Sequence, residues 1–469
     1  MCELHPSSLN PPRGKDDSSG AEMHRLHRPR ALNSPARGRS PEPEWAVHEE
    51  LRIAEARSRD FRERSGLFGE AMVFGLFSNR VNPIAVDIGT DTIKLLQVEP
   101  KDGQFRLVAA ACEIIPEGVR GKPGERDAFA ADAIHKMVND GFKARQAVTC
   151  LPAMHMAVQH LRMAKMGHDE LVKALPFEAA GKLPFDAGRA VIRHTIAGEV
   201  YQNQEALQEV IVMAAPREAV DRHLNILSKA KLEVVGIHVE PTALIECFAH
   251  LFRRKGDETV STLFIDMGAG STHVVIAHGK SMVFAKHIPV GGETFNKRVS
   301  EALKQDVRAA RELRVRVSHQ ESPANRLPAG VVPIGVEGNG HPLGHNGTNG
   351  AVVVDEATVA KVKAAIEEAL ETLVLDLQLC VRYYESIFPG KSVERAIFVG
   401  GESRHVALCQ AVAKRLCLPA TLGDPLARLV KDGQTKVKFD MRQPQPGWAI
   451  AVGLGMGITS DRTNSREAN

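Results

Sequence analysis

Asp87 and Asp266 occupy the same position in two similar segments, AVDIGTDTIKLLQV (85–98) and LFIDMGAGSTHVVIAHG (263–279). In each, an apolar β-type run ends at the Asp, a turn of small residues follows, and a second β-type run returns. Gly lets a turn approach a ligand closely and adopt dihedrals closed to other residues, so backbone N–H groups can converge on an anion. Two such hairpins facing each other would grip a polyphosphate from both sides. The candidate contacts are Asp87, Gly89, Thr90, Asp91, Thr92 and Lys94 in the first hairpin, and Asp266, Gly268, Gly270, Ser271 and Thr272 in the second. Asp87 and Asp266 would hold Mg²⁺ through water, since this ion takes one or two carboxylates and keeps waters and phosphate oxygens. In an extended strand Thr92 and Lys94 share a face, from which Lys94 can reach a phosphate as a compact charge. Either segment alone reads equally well as an ordinary Asp-Gly hairpin; their joint occurrence carries the chemistry.

Three further segments bear on the same site. In VGGES (399–403), Gly400, Gly401 and Glu402 follow a strand and precede a helix. Adjacent glycines there let an adenine or ribose lie against the backbone at a helix N-terminus, and a plain strand-to-helix turn is the competing reading. In HVEPTALIECF (238–248), Glu240 precedes Pro241 at a helix start. A carboxylate there can position a water for attack on a γ-phosphate, or simply complement the helix dipole. The glycines of AVGLGMG (451–457) read as tight packing between two halves of a hinge. Lys304, Arg308 and Arg311 share a helical face and read as solvated. The 19 His show no metal-ligand spacing, and neither a P-loop nor a hydrolase nucleophile elbow is present.

The elements that must position these residues alternate between strand and helix from Ile84 onward. Strands are expected at 84–88, 92–98, 105–113 and 147–151, and a helix at 127–141 from Phe129, Ile134, Met137 and Val138. Residues 155–236 read as a small inserted α/β module, with helices near 168–181 and 217–230 and strands near 189–198 and 208–214. Residues 237–252 begin as strand and turn helical. A further strand (282–292) leads to a helix from Glu293, then come helix over 355–388, a strand and turn over 394–403, a helix at 404–416 and a closing helix at 448–458. The order of strand-rich hairpins followed by helix occurs twice, a weak internal duplication. Residues 318–350, rich in Pro, Gly, Asn and His, read as a flexible insertion. Residues 1–71 read as a disordered extension of Pro, Ser, Arg and Glu that cannot bury enough apolar surface to order itself; an alternative start of translation is Met72.

Bulk properties narrow the class. The 469 residues suffice for two to four compact units, and 43% hydrophobic with 25% charged residues is ordinary for a globular protein. A net charge of +3 argues against a nucleic-acid surface. Seven Cys without a CxxC pair suggest neither zinc nor disulfides, and Cys112, Cys150 and Cys247 read as small core residues in a reducing compartment. With no apolar membrane-length run and no signal sequence, the expected location is cytoplasmic.

These five elements, in this order, resemble the phosphate-1, connect-1, phosphate-2, adenosine and connect-2 motifs of the actin-like ATPase superfamily, here at 85–98, 238–249, 263–279, 396–403 and 449–458. Within it the chain is similar to the PilM family of type IV pilus assembly proteins. The similarity is carried by MVFGLFSNR (72–80), LPFEAAGKLPFD (175–186), AKLEVVGIHVEPTAL (230–244), IPVGGETFNKRVSEAL (288–303) and LQLCVRYYES (377–386).

The resemblance implies an α/β, two-lobed, RNase H-like fold with inserted subdomains. These would be 1A (72–155, 237–261 and the closing helix 447–458), 1C (156–236), 2A (262–300 and 386–446) and 2B (301–385, with the insertion 318–350), followed by a disordered tail (459–469). It implies ATP and Mg²⁺ in the cleft, with at most weak ATPase activity. It implies recruitment of the N-terminal cytoplasmic peptide of a PilN-type membrane protein into a groove between 1A and 1C, built mainly from 147–236. The chain would then link the pilus inner-membrane complex to the motor ATPases at the inner face of the cytoplasmic membrane, in a pilus, competence or type II secretion system, touching the membrane only indirectly and no nucleic acid. The alternatives are an FtsA-like division filament, against which the polar ending SDRTNSREAN weighs, and a small-molecule kinase, for which no second-substrate site is apparent.

Overall fold

The computed structural model describes residues 81–202, 205–321, 354–431, 435–437, 439, 441 and 443–457. The expected extension 1–71, the segment MVFGLFSNR, the tail 459–469 and most of the expected insertion 318–350 lie outside the described residues.

Two sheets repeat one plan. The first runs β14-β3-β2-β1-β4-β8, from β1 (Ile84–Ile88), β2 (Thr92–Lys101), β3 (Gln104–Ile114), β4 (Gln146–Cys150), β8 (Glu233–His238) and the short β14 (Lys436–Val437). The second runs β11-β10-β9-β12-β13, from β9 (Ser261–Met267), β10 (Thr272–His278), β11 (Ser281–Ile288), β12 (Arg395–Val399) and β13 (Ala420–Leu422). In both, an antiparallel three-strand meander is extended by parallel strands on the side of its first strand. Parallel additions need crossovers and are covered on both faces, so every residue of IAVDI and of STLFIDM is buried.

Helices supply that cover. Helix α1 (Pro123–Val138) lays Ala130, Ile134 and Val138 on one face of the first sheet with Leu227 of α3 (Arg217–Lys229). Helix α4 (Glu240–Phe248) and the closing helix α9 (449–457) form one continuous apolar cluster with the opposite face. On the second sheet, the 32-residue α7 (Glu356–Ile387) and α8 (Val406–Leu416) bury Leu373, Leu377, Tyr384 and Val412. Helices α5 (Gly292–Leu303) and α6 (Val307–Glu321) pack beside α7. The inserted module has three strands, in the order β5-β7-β6, rather than two: β5 (Ala157–Ala164) joins β6 (Ala190–Gln202) and β7 (Glu205–Pro216). Helix α2 (His168–Ala179) covers one face with Leu171, Leu175 and Ala179.

Two side-chain expectations need correcting. Cys150 and Cys247 are buried, but Cys112 is exposed. It stands opposite Lys94 near the end of β3, whose last three residues are exposed. Lys304, Arg308 and Arg311 do not share a helical face. Lys304 ends α5 in the left-handed region (φ 52), and α6 begins anew at Val307. Arg311 is not a solvated charge, because it reaches Asp91 (2.8 Å).

A buried histidine gives the fold an acid-sensitive point. His223 of α3 lies against Thr149 Oγ1 at 2.9 Å, and burial, reinforced by the nearby cations, pushes its pKa down to about 4. The unfolded chain takes up that proton near pH 6.5. Stability from this site is therefore complete above pH 6.5 and falls as pH drops toward 4, with a slope of up to about 1.4 kcal/mol per unit. Denaturant titrations of wild type and His223→Gln between pH 7 and 4.5 should show a shallower decline in the variant.

Candidate functional site

The two Asp-bearing hairpins close by the same turn. Gly89 N–H donates to Thr92 O (2.9 Å), and Gly268 N–H donates to Ser271 O (2.9 Å). Across each hairpin the residue opposite the Asp is basic: Lys94 faces Asp87, and His273 faces Asp266. The turns abut, since a Cβ on Gly270 would sit 2.8 Å from Thr90 Oγ1. The structure thus brings Asp87, Asp266, Lys94, His273 and Glu240 into one cleft, where their charges act on one another.

The electrostatics follow from burial. Burial raises the pKa of Asp87, opposed by Lys94, whose Nζ is 3.4 Å from Oδ2. Burial pushes Asp266 up to about 6, against the pull of His273. Burial also disfavours charge on His273. The Glu240 carboxylate 2.7 Å from Nδ1, with Asp266 and Asp87, outweighs it and holds the imidazole at about 9. Near neutral pH, Glu240 therefore faces an imidazolium. Glu240 stands at the first turn of α4, and one of its two carboxylate oxygens, Oε2, is the one near His273.

The remaining candidates divide by what holds them. Thr92 supplies the carbonyl that closes the first turn. Asp91 pairs with Arg311 from α6, and its carbonyl accepts Ile115 N–H (2.8 Å). Ser271 Oγ lies 3.1 Å from His273 Nε2, whereas the buried Thr272 hydroxyl donates to Val290 O (2.8 Å) and is turned to structure. The carbonyls of Gly268 and Ala269 accept N–H bonds from Gly292 and Glu293 at the start of α5 (3.0 and 2.8 Å). Gly400 has φ +90, and a Cβ there would lie 2.3 Å from Met267 O and 2.4 Å from Asp266 Oδ1; only glycine lets this loop close over the second hairpin. Gly401 is open beside it. Glu402 follows in the same turn. It is buried and fixed by Arg314 at 2.7 Å, which in turn donates to Asn296 (2.8 Å). Its carboxylate fills the space where a Gly292 Cβ would be.

Among the described residues, no three His, Cys, Asp or Glu converge to hold a metal by themselves. Asp87 and Asp266 suit a cation whose other ligands are water and phosphate. Residue-by-residue reading missed His273, Arg311 and Arg314. For His273 a signal existed, because its spacing from Asp266 equals that of Lys94 from Asp87. For the two arginines there was none, since their partners are distant in sequence.

Comparison with known proteins agrees with this arrangement. The family described as type IV pilus assembly protein PilM matches residues 85–322, and that described as cell division protein FtsA matches 263–432. Among solved structures, a PilM–PilN type IV pilus biogenesis complex has 22% identity and a TM-score of 0.62, covering 81% of this chain and 98% of that one. The ethanolamine utilization protein EutJ from Carboxydothermus hydrogenoformans has 13% identity and a TM-score of 0.43, covering 80% and 89%. The solved complex shares the fold, and the PilM match takes in both hairpins, Glu240, the three-stranded module and just over half of the 469 residues, so the chain belongs to the PilM family of type IV pilus assembly proteins.

Proposed function

We propose that this chain binds Mg–ATP between its two hairpins and docks the N-terminal cytoplasmic peptide of a PilN-type membrane protein, as an assembly component with at most weak ATPase activity. The observation that carries the nucleotide reading is the convergence of two identically closed Asp–Gly turns on one cleft. ATP would supply a polyphosphate and Mg²⁺ its counter-charge. Asp87 and Asp266 would hold the hydrated cation, the Gly89–Thr92 and Gly268–Ser271 turns the phosphates, with Lys94 beside them, and Gly400–Gly401 the adenosine. The His273–Glu240 pair supports slow turnover, because a carboxylate neutralised by an imidazolium is a poor base.

The peptide reading divides the first lobe into 1A, built on the six-stranded sheet, and 1C, the inserted module, with the groove between them. It draws support from β8, an outer strand of the six-stranded sheet among the described residues. Val235 and Ile237 are 48% and 38% exposed there, and an outer strand with free backbone groups and apolar side chains suits an added extended peptide. No described helix is long and apolar enough to cross a membrane, so attachment to the inner face of the membrane would run through that peptide. Contact with the rest of the inner-membrane complex and the motor ATPases would follow from the same placement.

The test is titration of a labelled PilN-type tail peptide, and separately of a fluorescent ATP analogue with and without Mg²⁺. Ile237→Asp should weaken the peptide about tenfold, by placing a charge on apolar surface, and leave nucleotide affinity unchanged. Peptide affinity unaffected by this change removes β8 from the docking surface.

A further inference from the structure

The three-stranded module is inserted in the first lobe by sequence but is fastened to the second by its buried contacts. Glu209 of β7 is 0% exposed. Its carboxylate accepts from Tyr383 OH of α7 (3.1 Å) and pairs with Arg162 Nε (3.3 Å) and His160 Nδ1 (3.3 Å) of β5. The other nitrogen of His160 is 3.1 Å from Ala285 O on β11, and the ring stacks on Phe284 at 4.8 Å. Ile211 and Met213, on the same strand as Glu209, lie in the large apolar cluster that holds Met282 and Ala285 of β11 and also Val148 and Cys150 of the six-stranded sheet, so the discrimination between lobes comes from the polar contacts. At the irregular point of β6, Gly198 lies so close to Phe388 that a Cβ would meet the ring at 2.8 Å. Toward the six-stranded unit, Arg189 of the module pairs with Glu218 of α3, and both side chains are about four-fifths exposed. An exposed pair contributes little, whereas a buried carboxylate cannot be left without its partners.

We infer that the three-stranded module moves as one body with the five-stranded lobe, the Glu209–Tyr383 contact being the fastening. This rests on the reading that nucleotide and tail bind as proposed. Closing the cleft brings the five-stranded lobe toward the six-stranded sheet and carries the module with it. The groove between the module and that sheet changes width in the same step. Mg–ATP and the tail peptide are thereby coupled through a rigid element, with no direct contact between them.

Two readouts test this. In the full chain, nitroxide pairs at Lys173–Lys414 and Lys173–Lys136 report the module against the second and first lobes. Without any ligand, Lys173–Lys414 should give the narrower distance distribution, and Tyr383→Phe should broaden it. A distribution narrower to Lys136 than to Lys414, or unaltered by Tyr383→Phe, overturns the inference whether or not nucleotide binds. In the second, Mg–ATP should change the tail-peptide Kd about fivefold or more in wild type, and Tyr383→Phe should bring the ratio within about twofold while each ligand alone still binds. Binding of both ligands with no coupling in wild type, or coupling retained in the variant, also overturns it. Failure of either ligand to bind wild type instead marks the functional reading as the one that fails.

Discussion

Asp266→Ala is expected to lower Mg–ATP affinity about ten- to a hundredfold, the size of a lost contact to a charged group, without lowering thermal stability. The two halves of this result have one cause. Burial pushes the Asp266 pKa up to about 6, against about 3.9 in an unfolded chain. Between these values the folded state holds the extra proton, so this site loses stability as pH rises from 4 to 6 and contributes a standing cost above. Removing the carboxylate removes that cost. Asp87→Ala should weaken Mg–ATP comparably but also destabilise the fold, because it strands the mostly buried Lys94. Calorimetric titration with Mg–ATP and thermal melts of the three proteins check both halves. Equal nucleotide affinity in all three would remove the cleft as the binding site.

The largest effect on folding is expected at Gly453. A Cβ there would lie 1.7 Å from Ala243 O and 2.6 Å from its carbonyl carbon. These are backbone atoms of α4, so no rotamer change relieves the clash and the two helices must separate. Gly453→Ala should cost about 3 kcal/mol, the upper range for overpacking. The same helix provides its own controls. At Gly455 the nearest atom is a Leu96 methyl at 2.9 Å, and at Gly457 a Glu246 side-chain carbon at 3.6 Å. Alanine at 455 should cost less, because a side chain can yield. At 457 it should be neutral or stabilising, since Ala exceeds Gly in helix preference by up to about 1 kcal/mol. Denaturant unfolding of the series should rank 453, 455 and 457 in that order. A neutral Gly453→Ala would mean that α4 and α9 do not cross where the structure has them.

The features legible in sequence are those with local causes. β1 matches its expected bounds, and the bounds of β2, β3, α3 and α8 fall within a few residues, because apolar runs, Pro and Gly mark them. The packing role of AVGLGMG is likewise local, needing only small residues at a crossing. What sequence hid was set by distant partners. Arg311 reads as a solvated charge until α6 is laid across Asp91, and nothing near Arg314 in sequence points to its partner Glu402. Cys112 sits in an apolar run, yet it falls in the exposed last three residues of β3. β5 escaped notice because its residues AVQHLRMA mix polar and apolar side chains, of which Leu161 and Met163 face α2 while His160 and Arg162 meet Glu209. Nothing in the linear order shows which lobe that strand leans on.

The matched turns also carry a consequence for orientation. Two copies of one hairpin, related by an approximate dyad, would present equivalent jaws, and a ligand with distinct ends could enter either way round. Lys94 and His273 stand at the equivalent places and differ in kind. The aliphatic amine, held by Asp87, puts a compact point charge on one side. The imidazole is clamped by Glu240 on the other. With the Asp91–Arg311 pair on one side and the Gly400 loop on the other, that inequality breaks the degeneracy of a duplicated scaffold and would give a bound ligand a head and a tail.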